Sequence, residues 1–271
     1  MILSLRDRAA QDSIVTGGKG SALARLMAAG FPVPEGIVIV ASGQMENELK
    51  AHLPDGRLAV RSSGFSEDSQ SASFAGQYET ILGVQGLTET RTAVERCFAS
   101  FSNPRSQAYE ASYGGERPGG AVIVQRLIDA EASGVAFTVD PVSGATDRVV
   151  IESNFGLGES VVGGHVTPDG FAVRKDSNEI IERRIANKKL RSVLDTNGTR
   201  LEEVPPELSR EPSLDDDAIR EIAMLACRVE QHYDSPVDIE WAWHGDRAHL
   251  LQARPVTAAG GVRPSNPGYS H

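Results

Sequence analysis

The fold is indicated most clearly by Asp238-Ile239-Glu240-Trp241-Ala242-Trp243 and Leu250-Leu251-Gln252-Ala253-Arg254-Pro255, two stretches near the end of the chain. Polar residues recur at alternate positions in both stretches, which is typical of strands with one polar and one apolar face. The turn residues Gly245-Asp246 lie between them, so the pattern predicts a β-hairpin.

The pairing of these two strands decides which side chains meet. With a loop over residues 245–247, Glu240 lies opposite Gln252. The same register places Asp238 opposite Arg254, whereas a two-residue turn would break both pairs. A carboxylate and an amide oxygen suit a hard cation such as Mg²⁺, and the arginine would lie beside its phosphates. The alternative is an ion pair across an exposed sheet face, which would contribute about 0.2–1 kcal/mol.

Further strand patterns precede the hairpin, and helical patterns flank them. Five segments between residues 121 and 185 are predicted to be strands, and a long helix with an apolar stripe is predicted from Ser213. A β-rich half with helices packed on it is an α+β plan. The glycine-rich stretch Tyr113–Gly120 is expected to separate two lobes. The predicted organisation is an N-terminal lobe over residues 1–117, a C-terminal lobe over 118–257 and a disordered tail over 258–271.

The composition favours a globular enzyme. The chain has 271 residues, 40% of them hydrophobic, and a formal net charge of −10. That charge argues against a nucleic-acid binder, because the phosphate backbone would repel it. No apolar run reaches the roughly 20 residues of a membrane span, and charge appears too early for a signal peptide. A cytoplasmic protein without membrane contact is therefore expected, and any anionic ligand must be held by local cations and backbone amides.

Two segments of the N-terminal lobe could bind phosphate. Gly17-Gly18-Lys19-Gly20-Ser21 is predicted to be a turn before a helix, where backbone amides and the helix dipole would attract an anion. It departs from the Walker pattern, and an ordinary turn is the alternative. Arg61, at a strand end before the serine-rich loop 62–73, could contact phosphate oxygens in a bidentate manner. The alternative there is an ordinary surface loop.

Gln125 lies inside the apolar strand Ala121–Leu127, near its end. A polar side chain at the end of a buried strand could contact an adenine edge, or it could simply begin the solvent-facing end. The local sequence does not separate these two interpretations. The six histidines are scattered without metal-ligand spacing, so a histidine metal site is not expected.

Several motifs, taken in order, resemble the N-terminal ATP-binding domain of phosphoenolpyruvate synthase, pyruvate phosphate dikinase and rifampicin phosphotransferase. The resemblance runs from about residue 14 to residue 257. The matching stretches are Gly17-Gly18-Lys19-Gly20, Phe31-Pro32-Val33-Pro34-Glu35-Gly36, Arg61-Ser62-Ser63, Glu67-Asp68, Ser73-Phe74-Ala75-Gly76-Gln77, Ser133-Gly134-Val135-Ala136-Phe137, Gly156-Leu157-Gly158-Glu159, Thr167-Pro168-Asp169, Asp238-Ile239-Glu240-Trp241 and Gln252-Ala253-Arg254-Pro255.

This resemblance implies an ATP-grasp-like α+β fold with two lobes and the nucleotide between them, and ATP and Mg²⁺ as cofactors. Phosphoryl transfer needs mainly positioning and charge neutralisation, which cations and Mg²⁺ supply. The implied roles are phosphate binding and catalysis by Lys19 and Arg61, covering of the phosphates by Gly76 and Thr80, adenine recognition by Gln125, Mg²⁺ binding by Glu240 and Gln252, and catalysis beside the transferred phosphoryl group by Arg254.

Two departures from the family pattern shape the expected function. Only Ala41–Arg57 stand where the family carries a longer helical insertion, and nothing resembles the family's swivelling phosphohistidine domain. We therefore expect an ATP-dependent phosphotransferase component that phosphorylates a histidine on a separate protein. The alternatives are a self-contained small-molecule kinase or ATP-grasp ligase, and a nucleotide-binding module without turnover.

Overall fold

The structure is a computed structural model that describes residues 1–40, 46–65, 79–102, 119–164, 166–196 and 198–256. The chain divides into two compact units, one made of Met1–Ile128 with Asp195–Thr199 and the other of Asp129–Leu194 with the chain from Arg200. The first unit thus extends beyond residue 117, the expected end of the N-terminal lobe, because the next strand pairs within its sheet. The expected tail over 258–271 lies outside the described residues.

The first unit is built on one antiparallel sheet with strand order β1-β2-β5-β3-β4. Its elements are β1 (Ile2–Ser4), α1 (Ser13–Ala28), β2 (Gly36–Ile39), α2 (Glu46–His52), β3 (Leu58–Gly64), β4 (Thr80–Val84), α3 (Gly86–Ser100) and β5 (Gly120–Arg126).

Both faces of this sheet are covered by helices. Val38 and Ile123 pack with Leu23 of α1 in one apolar cluster. Their strand neighbours point the other way, and Val60 packs with Val94 of α3 in a second cluster. Two-sided coverage explains why β2 and β5 are almost continuously apolar instead of alternating. The same alternation assigns each polar residue of β3 to the α1 face or to the α3 face.

The second unit is built on an antiparallel six-stranded sheet with order β13-β12-β6-β7-β8-β9. A separate two-stranded sheet is formed by β10 and β11, whose connecting tip belongs to the first unit. The elements are β6 (Ala132–Phe137), β7 (Arg148–Phe155), α4 (Glu159–Val162), β8 (Asp169–Arg174), β9 (Ile180–Arg184), β10 (Leu190–Asp195), β11 (Gly198–Glu203), α5 (Asp216–Tyr233), β12 (Val237–Trp243) and β13 (Ala248–Pro255).

One face of the six-stranded sheet is covered by α5. Ile219, Ile222 and Ala226 form part of its buried stripe, as the sequence predicts. The helix begins later than predicted, because Asp215 and not Ser213 caps it by accepting a hydrogen bond from the amide of Ala218 at 2.8 Å. No helix among the described residues is long and apolar enough to span a membrane.

The start of α5 is attached to the sheet by a buried ion pair. The Lys188 ammonium lies 2.8 Å from Oδ1 of Asp169, and both side chains are fully buried. The Asp169 carboxylate also accepts hydrogen bonds from the amides of Ala186 and Ser213 and from the Ser213 hydroxyl, each at 2.8 Å. This cluster joins β8, the segment before β10 and the approach to α5.

Candidate functional site

The glycine stretch lies at a kink between the two helical segments that together make up α1. The helix begins at Ser13, where the side chain of Asp12 accepts a hydrogen bond from the amide of Ile14. Gly17 interrupts it with a φ of 72° and a ψ of 175°, and the helix then resumes. The predicted turn is therefore a kink, and Lys19 lies in the first turn of the second helical segment. A helical N-terminus beside a lysine retains the features expected of a phosphate site.

Arg61 lies in β3 on the sheet face that α1 covers. Val60 belongs to the cluster under α3, so its neighbour Arg61 points to the opposite face. In β4, Thr80 lies directly opposite Arg61 and shares that face. Lys19, Arg61 and Thr80 thus belong to one side of the first unit. Gly76, the other residue of the predicted phosphate-covering loop, lies outside the described residues.

Gln125 is buried, with 2% of its surface exposed. Its side-chain nitrogen donates a hydrogen bond to the carbonyl oxygen of Pro34 at 3.0 Å. In β5 it alternates with Val124, which packs under α3, so Gln125 points to the α1 face as Arg61 does. The interpretation of Gln125 as the start of a solvent-facing end is therefore wrong.

The hairpin of β12 and β13 has the predicted pairing at its four polar positions. Glu240 lies opposite Gln252, and Asp238 lies opposite Arg254. The route to this register differs from the prediction: Trp243 pairs with Ala248, which leaves a four-residue turn, and the register shifts after Glu240. The longer turn and the bulge compensate for each other.

Arg254 and Asp238 form a bidentate ion pair. Nε of Arg254 donates to Oδ1 of Asp238 at 3.1 Å, and the second guanidinium nitrogen donates to Oδ2 at 2.6 Å. Burial raises the pKa of Asp238, and the arginine only partly offsets this effect. The pair leaves 39% of the Arg254 side chain exposed. Arg254 is thus held in a fixed orientation while it keeps access to solvent.

A row of polar residues crosses the sheet on the face that α5 does not cover. Gln252, Glu240 and Glu152 are aligned across β13, β12 and β7, with Val135 of β6 between the two carboxylates. Val149 of β7 lines a cavity with residues of α5, and Glu152, three positions later, points the other way. The polar row therefore lies on the sheet face opposite α5, where Gln252 is buried and Glu240 and Glu152 are half-buried.

Glu152 is a residue that the sequence did not single out. Burial raises its pKa, and the charge of Arg184 acts in the opposite direction. A half-buried carboxylate in line with Glu240 is a candidate for ligand contact. The alternating pattern of β7 can be recognised in the sequence. The alignment of Glu152 with Glu240, however, depends on the pairing of β6 with both β12 and β7, which the sequence does not specify.

The donor set on this face fits Mg²⁺. The Glu240 carboxylate and the Gln252 amide oxygen are hard ligands on directly opposed residues. No group of three or more histidine, cysteine, aspartate or glutamate side chains suited to a metal occurs in the described part of the chain. Mg²⁺ typically binds through one or two protein ligands, with waters and substrate phosphates completing the shell, so two oxygen donors are sufficient.

Comparison with known proteins gives one family and several relatives. Residues 41–266 match the family described as "Pyruvate phosphate dikinase, AMP/ATP-binding domain". A probable phosphoenolpyruvate synthase of Methanocaldococcus jannaschii is 34% identical over 306 aligned positions, which cover 91% of this chain and 26% of that protein. A rifampicin phosphotransferase of a Streptomyces species is 38% identical over 229 positions, which cover 83% of this chain and 26% of that protein.

The similar solved structures are more distant. A dinucleotide-forming acetyl-coenzyme A synthetase of Ca. Korarchaeum cryptofilum has a TM-score of 0.46 and 12% identity, over 88% of this chain and 92% of that chain. The chain spans only a quarter to a half of the phosphoenolpyruvate synthases it matches, 26% of one and 44% of another.

Proposed function

This chain belongs to the pyruvate phosphate dikinase AMP/ATP-binding domain family, and on that premise we propose that it binds MgATP and transfers a phosphoryl group to a histidine of a separate protein. The α+β fold is the one expected for this family, and the ATP-grasp-like arrangement is part of the proposal. In the dikinase reaction, ATP and water yield AMP and phosphate while one phosphoryl group passes to an imidazole nitrogen of the acceptor.

The observation that carries this proposal is the register of the β12–β13 hairpin. It puts two oxygen donors, Glu240 and Gln252, on one face with the oriented cation Arg254. A module that only binds a nucleotide transfers no phosphoryl group, so it would need no arginine to stabilise one during transfer. Phosphoryl transfer needs one, because charge develops on the equatorial oxygens as the group moves.

Each candidate residue has a role in the proposed reaction. Glu240 and Gln252 would hold Mg²⁺, which neutralises the charge of the phosphates when it is bound. Arg254 would contact the transferred group. The remaining proposed roles are in the first unit: phosphate binding by Lys19 and Arg61, covering of the phosphates by Gly76 and Thr80, and adenine contact by Gln125.

The test is product analysis with ATP labelled on either the β- or the γ-phosphate. The purified chain is incubated alone, with small-molecule acceptors, and with candidate histidine-domain proteins. We expect AMP and an acid-labile labelled protein only when a histidine-domain protein is present. ADP formed with a small acceptor and no second protein would contradict the proposal and favour a self-contained kinase or ligase.

The metal role of Glu240 gives a separate prediction. Glu240→Gln removes a charged oxygen donor, so the Mg²⁺ concentration that half-saturates ATP binding should rise roughly tenfold, which corresponds to about 1.4 kcal/mol. Glu221→Gln is the matched control, because Glu221 belongs to α5 and accepts a hydrogen bond from the amide of Ala248 in the same hairpin. Titration of Mg²⁺ at fixed ATP measures both variants. An equal shift in both would show that the effect comes from the hairpin's stability and not from a metal ligand.

A further inference from the structure

Ser63 of β3 connects the strand that carries Arg61 to the kink of α1. Its hydroxyl donates a hydrogen bond to the carbonyl oxygen of Thr16 at 2.7 Å and accepts one from the amide of Gly20 at 3.0 Å. The side chain is completely buried. One serine therefore bridges the residues on both sides of Gly17.

These two bonds replace a cap that the helix cannot make for itself. Gly17 precedes the second helical segment of α1 and has non-helical dihedral angles, so it stands where a capping residue belongs. A capping serine or aspartate would accept a hydrogen bond from the amide three residues later, which here is that of Gly20. Glycine has no side chain to do so. Ser63 supplies the missing acceptor from another strand.

Gly17 lies so close to Ser63 that no residue with a side chain would fit at the kink. A Cβ on Gly17 would lie 2.3 Å from the carbonyl oxygen of Ser63 and 2.5 Å from its hydroxyl oxygen. The positive φ of Gly17 also favours glycine. The kink is therefore pressed against β3 at Ser63, which shares the α1 face with Arg61 two positions earlier.

We propose that Ser63 is a positioning residue for the β- and γ-phosphates of ATP. Because Ser63 holds the kink in place, it determines where the first amides of the second helical segment and Lys19 lie relative to Arg61. This inference rests on the proposed function, in which those groups grip the phosphates. Ser63 itself is buried under the kink and touches no substrate. Its loss should therefore weaken the binding of ATP without weakening that of AMP, which lacks both phosphates.

The test compares Ser63→Ala with Ser62→Ala. Ser62 is also buried in β3, but its hydroxyl lies on the α3 side, where its neighbours are the Cys97 carbonyl oxygen at 3.4 Å and the Ser100 hydroxyl at 3.2 Å. Both variants remove one buried hydroxyl from the same strand. Calorimetry should give a Kd for MgATP about tenfold higher in Ser63→Ala, with the Kd for AMP within about twofold of the original chain. Ser62→Ala should change neither value.

Two further measurements keep the test decisive. Ser63→Cys nearly retains the volume of the side chain while weakening its hydrogen bonds, so it replaces Ser63→Ala if that variant does not fold. It should show the same loss of selectivity for ATP over AMP. Hydrogen exchange of the Gly20 amide should accelerate in both Ser63 variants. Equal weakening of ATP and AMP binding, or ATP binding as strong as in the original chain, would overturn the positioning role. An original chain that binds no ATP would instead overturn the proposed function, and this inference with it.

Discussion

Arg254→Ala should slow phosphoryl transfer from MgATP by about 10²–10³-fold, the usual effect of removing one group that stabilises charge in the transition state. Arg254 lies with the two proposed metal ligands on the sheet face opposite α5, and Asp238 fixes the direction of its guanidinium. The rate is measured as the formation of AMP from labelled ATP with the accepting protein. Arg254→Lys should recover only part of the rate, because lysine keeps the charge but not the planar fork.

The control for this variant is Arg183→Ala. Arg183 forms a bidentate pair with Asp216 at 2.6 and 2.9 Å in the same unit, away from the polar row. Each replacement removes one arginine–aspartate pair. We expect a stability change of about 1 kcal/mol or less for Arg183→Ala, and a larger one for Arg254→Ala, because the Asp238 side chain is 21% exposed where that of Asp216 is 48% exposed. Transfer should fall only in Arg254→Ala. Comparable losses of stability and activity in the two variants would favour the alternative in which Arg254 only forms an ion pair on the sheet surface.

Lys188→Met should lower the free energy of unfolding by about 3–5 kcal/mol, because it leaves a buried carboxylate without its cation. Methionine has a side chain of similar length, so the loss reports the missing charge more than a cavity. Asp169 would keep its hydrogen bonds from Ala186 and Ser213 but not the ammonium at 2.8 Å. Chemical denaturation measures the change, and the loss should be expressed as a shift in the transition midpoint with an unchanged slope.

Lys175→Met is the matched control for this stability prediction. Lys175 lies 2.7 Å from both carboxylate oxygens of Glu230, but its side chain is 18% exposed where that of Lys188 is fully buried. Water can therefore solvate the remaining carboxylate, and the expected loss is about 1 kcal/mol or less. A Lys188→Met chain as stable as the Lys175→Met chain would contradict the structural importance of the buried pair.

Local sequence patterns were sufficient for the parts of the fold that depend on neighbours in the chain. Alternating residues identified the β12–β13 hairpin, and the apolar stripe identified α5. The predicted partners of Glu240 and Asp238 were also correct, although no local pattern indicates that a four-residue turn and a bulge combine to produce them. The extra turn residue shifts the pairing by one position, and the bulge after Glu240 shifts it back. The predicted register was therefore correct, although the turn length that was predicted with it was not.

The features that escaped sequence reasoning depend on distant contacts. The glycine stretch was expected to form a turn before the helix, whereas Gly17 forms a kink between two helical segments, and Ser63, more than forty residues later in the chain, caps the second segment. Glu152 aligns with Glu240 only because β6 lies between their strands. In both cases the decisive partner is supplied by another element, and neither the spacing nor the composition of the local sequence encodes it.

We propose as the central point that the chain binds MgATP and that Arg254 stabilises the phosphoryl group as it is transferred. The most direct measurement is single-turnover formation of AMP from labelled MgATP with the accepting protein, by the original chain and by Arg254→Ala, at MgATP concentrations that saturate both chains by calorimetry. We predict transfer by the original chain and a rate about 10²–10³-fold lower in Arg254→Ala. Equal rates in the two chains, or an original chain that binds no MgATP, would contradict this proposal.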